Sequence, residues 1–130
     1  MQRDMEYVRE LLLKIEAAPS VVKQSSDLIP DIATHTQKDR DKLNYHLGML
    51  INEAPFVSAI AAHTYSEQNW MRLQLTWQGH EFLETVRDPE VWTRTKEGAK
   101  KAGNFGLEFV LQIARAYGKH IAKERLGIDL

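Results

Sequence analysis

Met5, Val8, Leu11, Leu12 and Ile15 recur at steps of three and one, which keeps them on one face of a 3.6-residue helix. Asp4 can cap that helix and Pro19 ends it, so the pattern predicts a first helix over 4–18. Residues 20–36 lose the period. Pro19 and Pro30 bracket a serine-rich stretch, and Leu28, Ile29 and Ile32 predict at most one short strand near 27–33. A second helix is expected over 37–53, with Thr36 as N-cap and Pro55 closing it. Leu43, Leu47, Leu50 and Ile51 form its inner face. Lys38, Asp41, Lys42, Tyr45, Met49 and Asn52 face the other way, with Gln37 on the edge.

Two short runs, 56–62 and 70–75, are then rich in branched and aromatic residues and separated by the polar stretch 63–69. In the second run Met71, Leu73 and Leu75 alternate with Arg72 and Gln74, the period of a half-buried strand. The pair predicts a hairpin. Thr76 starts a third helix to residue 87 that buries Phe82, Leu83 and Val86. Asp88-Pro89 starts a fourth, with Val91, Trp92, Thr95 and Ala99 on one face and Gly103 as its left-handed stop. The last helix is expected over 105–126. Trp70, Trp77 and Trp92 are expected to fill the core, each indole N–H meeting a carbonyl.

This order predicts a mainly α chain with a small β-hairpin, an α+β fold. A helix running straight into a hairpin suggests a winged-helix-like domain with additional C-terminal helices, the hairpin being the wing. Residues 1–87 would be the winged-helix-like core, and 88–130 a helical extension packed on the same single domain.

Composition narrows the function classes. The 130 residues hold no cysteine, which removes disulfides, thiol nucleophiles and thiolate zinc sites and suits a reducing, cytoplasmic setting. Seventeen Lys and Arg against eighteen Asp and Glu leave a net charge of −1, so no whole-chain charge draws in nucleic acid or a membrane. No apolar run approaches the roughly 18 residues of a membrane span, and the charged start MQRDMEYVRE does not read as a signal peptide. Charge is nevertheless uneven. Residues 1–87 carry nine cations and twelve anions, a net −3, and residues 88–130 carry eight and six, a net +2.

Several strings resemble one family. They are MQRDMEYVRELLLKIE at 1–16, LNYHLGMLINEA at 43–54, LTWQGHEFLETVRDPEVW at 75–92 and AKKAG at 99–103. The similarity is to a bacterial and prophage family catalogued as a domain of unknown function, number two-five-one-three. The resemblance implies a winged-helix-like fold and a setting among phage-derived genes; it brings no activity and no functional residue. Pro55-Phe56 stands where that family tends to have Gly-Leu before the first hairpin strand.

Candidate chemistry is sparse. His35, His46, His63, His80 and His120 include no His-x-x-x-His or His-Glu-x-x-His spacing, and no phosphate loop or nucleophile elbow is present. The expectation is no enzyme, no cofactor and no metal, with His46 and His80 as structural hydrogen-bonding residues. Two binding classes remain. Helix 37–53 can be read as a recognition helix, with Gln37, Lys38, Lys42 and Tyr45 meeting double-stranded DNA. Against this, Asp39 and Asp41 offset the lysines, and loop 63–69 holds Glu67 but no Lys or Arg.

The rival is a protein-binding surface. Tyr45 and Met49 make a small apolar spot on the outer face of the same helix. The last helix is apolar nearly all round: Leu107, Val110, Leu111, Ala114, Tyr117 and Ile121 form one stripe, and Phe105, Phe109 and Ile113 lie on the other side. The second side is expected to bury itself in a homodimer through that helix. The expected function is a non-catalytic regulatory or adaptor module of phage-derived type, with a DNA-binding transcriptional regulator as its sharper form; the alternative is a protein-interaction or structural module without nucleic-acid binding.

Overall fold

The computed structural model describes residues 1–31 and 33–128. In chain order it comprises α1 (Met5–Ala17), β1 (Val22–Gln24), a 3-10 turn (Ser25–Leu28), α2 (Gln37–Asn52), β2 (Val57–Ala61), β3 (Trp70–Leu75), α3 (Trp77–Val86), α4 (Pro89–Ala102) and α5 (Leu107–Leu126). Two compact units result, Met1–His80 and Glu81–Leu130. The division falls inside α3, ahead of the Arg87–Asp88 boundary expected from sequence.

Helix starts follow local chemistry. The Asp4 carboxylate accepts the Tyr7 N–H at 3.2 Å and caps α1. Thr36 and Asp39 form a reciprocal capping box on α2, with bonds of 3.2 and 2.8 Å. The Asp88 carboxylate accepts from Glu90 and Val91 at the head of α4, where Pro89 takes the first turn. Gly103, at φ 68°, ends α4 in the left-handed region. Only α5 departs, starting at Leu107: the Asn104 side chain takes the Gly106 N–H at 2.9 Å and holds Phe105 outside the helix.

In the first unit the three strands form an antiparallel sheet in the order β1-β3-β2. α1 packs on β3 and α2 on β2. Val8, Leu11, Leu12, Leu47, Leu50, Val57 and Leu73 are buried between them. Each such side chain contributes about 1.5–3 kcal/mol on leaving water. In the second unit α4 and α5 pack together, and Val110 and Ala114 are buried on α5. Gly98 of α4 makes room there: a Cβ on it would lie 3.3 Å from the Ile113 Cγ2.

Two sheet expectations need correcting. The short strand lies at Val22–Gln24, not near 27–33; Ile32 of that expected strand is outside the described residues. The strand is created by pairing, Val22 opposite Leu73 and Gln24 opposite Met71. Residues 25–28 are taken by the 3-10 turn, whose Asp27 carboxylate accepts the Gln24 N–H at 3.3 Å. Met71, expected inward with Leu73 and Leu75, faces solvent. Register runs Ile60 to Met71 but Ser58 to Gln74, so Arg72 and Leu73 together oppose Ala59. This is a β-bulge, with Arg72 at φ 57°, and it puts Trp70 and Leu73 on the buried face.

Candidate functional site

The expected recognition face lies on α2. Gln37 and Lys38 are exposed at its first turn, and the Gln37 amide donates to the Asp41 carboxylate at 2.9 Å. Asp39 is held below the usual carboxylate range by the Thr36 N–H and hydroxyl. Lys42 does not stand out into solvent as the helical wheel suggested. Its Nζ reaches back to the Asp4 carboxylate at 3.1 Å and sits 4.5 Å from the centre of the Tyr7 ring. Arg40 is engaged too: its Nη1 lies 3.4 Å from Glu67 on the hairpin loop and its Nε donates to His35 at 2.6 Å. Gln37 and both cations Arg40 and Lys42 are thus committed within the unit. Tyr45 is exposed and Met49 half-buried.

Beneath that face is His46, fully buried. Its Nδ1 lies 2.7 Å from the Lys42 carbonyl, and its Nε2 accepts the Asp4 N–H at 2.9 Å. A ring that donates on one side and accepts on the other is the neutral tautomer. Burial drives its pKa below the ordinary histidine value, outweighing the Lys42 carbonyl and the Asp4 charge. Burial alone would raise Asp4, but the Tyr7 N–H and the Lys42 ammonium hold its carboxyl below its usual value. His46 therefore ties the cap of α1 to the middle of α2, the structural role expected of it.

A cleft of about 560 Å³ opens between the first half of α2, the 3-10 turn and the hairpin loop. Amides and hydroxyls dominate its wall, among them Gln24, Ser25, Asn44, Gln68 and Asn69. Much of that wall is bonded to itself. Ser25 Oγ donates to Asn69 Oδ1 at 2.9 Å and accepts the Trp70 N–H at 3.2 Å, and Arg40 spans to Glu67.

Exposed apolar side chains collect on the hairpin instead. Ile60 is 57% exposed and Met71 44%, and the two are direct cross-strand partners. Tyr65 stands fully exposed on the loop. Trp77, at 76%, follows two residues after β3 and corrects the expectation of a core tryptophan; Trp70 and Trp92 are buried. The Thr76 hydroxyl accepts the Gly79 N–H at 3.1 Å and the Thr76 N–H bonds to the Phe56 carbonyl, which anchors this turn and leaves Trp77 on its outside. Met71 reads as core because apolar letters recur at strand period, and Trp77 because a large aromatic ordinarily fills a core.

The three interface candidates at and before α5 separate. Phe105 is exposed and Phe109 half-buried, whereas Ile113 faces Gly98 of α4 rather than outward. The close approach allowed by a glycine explains the difference. Leu107, Leu111 and Tyr117, expected in the buried stripe, are half-buried. At the far end Arg125 donates to Asp88 at 2.6 Å and Glu90 at 3.1 Å, and Arg125 in turn lowers the Asp88 pKa. Arg94 pairs with Glu90 at 3.2 Å. Among the described residues no cluster of three or more His, Asp or Glu could hold a metal ion, and no helix is long and apolar enough to cross a membrane.

The two units define an α+β chain, mostly helical with a small antiparallel sheet. The chain belongs to the family described as "Hypothetical protein (DUF2513)", whose model matches residues 2–105. A relative from Haemophilus influenzae (strain ATCC 51907 / DSM 11121 / KW20 / Rd), described as "Uncharacterized protein", is 32% identical over 116 residues, covering 88% of this chain and 93% of its own. No solved structure matches.

Proposed function

We propose that this chain is a non-catalytic regulatory or adaptor module of phage-derived type that acts in the cytoplasm by binding protein, with its hairpin as the contact surface. One observation carries the reading: the Ile60–Met71 cross-strand pair is exposed, and Tyr65 is exposed on the loop that joins the two strands. Exposed aromatic and large aliphatic groups on a hairpin suit a protein contact, in which such residues supply most of the binding energy. The order α1, β1, 3-10 turn, α2, β2, β3 with β3 central supports a winged-helix-like domain in which the helix before α2 has shrunk to one turn.

A photo-crosslinking amino acid at Tyr65 or Trp77 tests this in cells. Protein adducts are expected. Nucleic-acid adducts, or none, overturn it.

Double-stranded DNA is the second reading, favoured by the exposed Gln37 and Lys38 at the head of α2. It is the weaker because Lys42 and Arg40 already face carboxylates. A labelled duplex at low salt is expected to show no saturable binding. Binding that falls steeply with salt, with a slope reduced by roughly one unit in Lys38→Ala, would establish the DNA reading instead. A homodimer through α5 has less support than the hairpin, since Ile113 is turned to α4 and Phe109 is half covered.

A further inference from the structure

We infer that the cleft between α2, the 3-10 turn and the hairpin loop binds an extended peptide segment of the partner protein, one that carries a Lys or Arg. The inference deepens the protein-contact reading and rests on it, since the loop that presents Tyr65 also supplies Ser66, Glu67, Gln68 and Asn69 to the cleft.

The bonds within the wall leave particular groups over. Ser25 Oγ accepts the Trp70 N–H, so its own proton goes to Asn69 Oδ1, and the Asn69 NH2 stays unbonded. Asn44 of α2 is half-buried, lines the cleft and has no hydrogen-bond partner among the described residues. The Gln68 side chain, on the loop side of the cleft, has none either. Each amide presents a donor and an acceptor side by side. A peptide unit carries the same two groups, so amides on both walls can bond the main chain of a segment lying between them. From Gln37 to Tyr45 the α2 wall runs about 12 Å at 1.5 Å per residue, which an extended chain covers in about four residues.

Charge sets the sign of the occupant. One cation on the wall, Arg40, stands against two carboxylates, Asp41 and Glu67, and it is already bonded to Glu67 and His35. Asp41 gives one oxygen to the Gln37 amide and keeps the other. Tyr45 lies one turn further along α2 on the same side, its ring edge-on to His46 with 5.1 Å between centroids. A carboxylate oxygen close to an aromatic ring suits an ammonium or guanidinium. The same carboxylates repel phosphate and acidic side chains, which separates this cleft from a nucleic-acid groove. Ile29 and Leu43 give the wall its apolar part, against which the stem of a Lys or Arg can lie.

Side-chain amide signals in the NMR spectrum of isotope-labelled protein report on the cleft directly. Acetyl-Ala-Lys-Ala-Ala-amide, added to about 5 mM, is expected to shift the NH2 signals of Asn44, Gln68 and Asn69 and to half-saturate at about 1 mM or below. The same peptide with Glu in place of Lys should bind about tenfold more weakly, and Asp41→Asn should remove most of that difference. Asn44→Ala, at a helix position that favours alanine, and Gln68→Ala, on the exposed loop, should each weaken binding by about tenfold while backbone signals elsewhere stay in place. Lys38→Ala, off the wall, should leave binding unchanged. No shift at the highest concentration, or equal binding of the Lys and Glu peptides, overturns the inference; protein adducts at Tyr65 would then keep the hairpin contact on its own. Shifts of the same amides by sucrose but not by the peptide overturn it in favour of a neutral polyol. Saturable binding of the Lys peptide together with nucleic-acid adducts at Tyr65 and Trp77 would uphold the cleft and remove the adaptor reading alone.

Discussion

Gly79→Ala is expected to destabilise the fold by about 3 kcal/mol or more, against its own helix propensity. An alanine in a helix interior is ordinarily better than glycine by about 1 kcal/mol. Here a Cβ at position 79 would overlap the Phe56 carbonyl oxygen, which is backbone and accepts the Thr76 N–H. Relief requires moving α3 or the entry to β2, and either movement disturbs the Val57–Leu75 pairing beside it. Gly118→Ala is the natural control. It lies within α5 with nothing within 4 Å of its added Cβ, so a gain of up to about 1 kcal/mol is expected. Urea midpoints should move in opposite directions for the two variants. A Gly79→Ala midpoint at or above wild type would show that the approach of α3 to Phe56 is looser than described.

His46 carries the second large effect. His46→Ala removes a fully buried ring and leaves the Asp4 N–H and the Lys42 carbonyl without it, at a cost of about 2–4 kcal/mol. The pH dependence follows from the lowered pKa. The unfolded chain takes up a proton below the ordinary value of 6.5, while the folded ring stays neutral because it is buried, with its Nε2 lone pair accepting the Asp4 N–H. The stability His46 contributes is therefore complete above 6.5 and falls as pH drops toward the folded pKa, by up to about 1.4 kcal/mol per pH unit. Denaturation of wild type and His46→Gln at pH 7.5 and 5.5 checks this. The wild type should lose stability and the variant much less; equal losses would place the proton uptake elsewhere.

What could be read without coordinates was governed by neighbours in the chain. Asp4, Thr36 and Asp88 each bond an N–H two or three residues on, and Gly103 turns the chain by its own φ. Such bonds form whatever the rest of the molecule does, so helix starts and stops were legible. The apolar face of α1 was also legible, because a spacing of three and four has one geometric meaning.

The candidate site was less so. Lys42 looked like a free cation because its partner Asp4 lies 38 residues away. Ile113 looked unpartnered because the space it fills is opened by a glycine on another helix. In both cases the deciding atom belongs to a different element.

The sequence by itself determined the helices, the caps of α1, α2 and α4, the hairpin and the family, since each rests on local hydrogen bonding, on periodicity or on runs of letters. Tertiary structure alone decided that Val22–Gln24 becomes a strand, because only β3 supplies its partners. It likewise decided that Met71 faces out, because a bulge at Arg72 reverses a period that the letters carry unbroken. Strand pairing and bulges are agreements between distant segments, and a side chain's neighbours across that distance settle whether an apolar residue is core or surface.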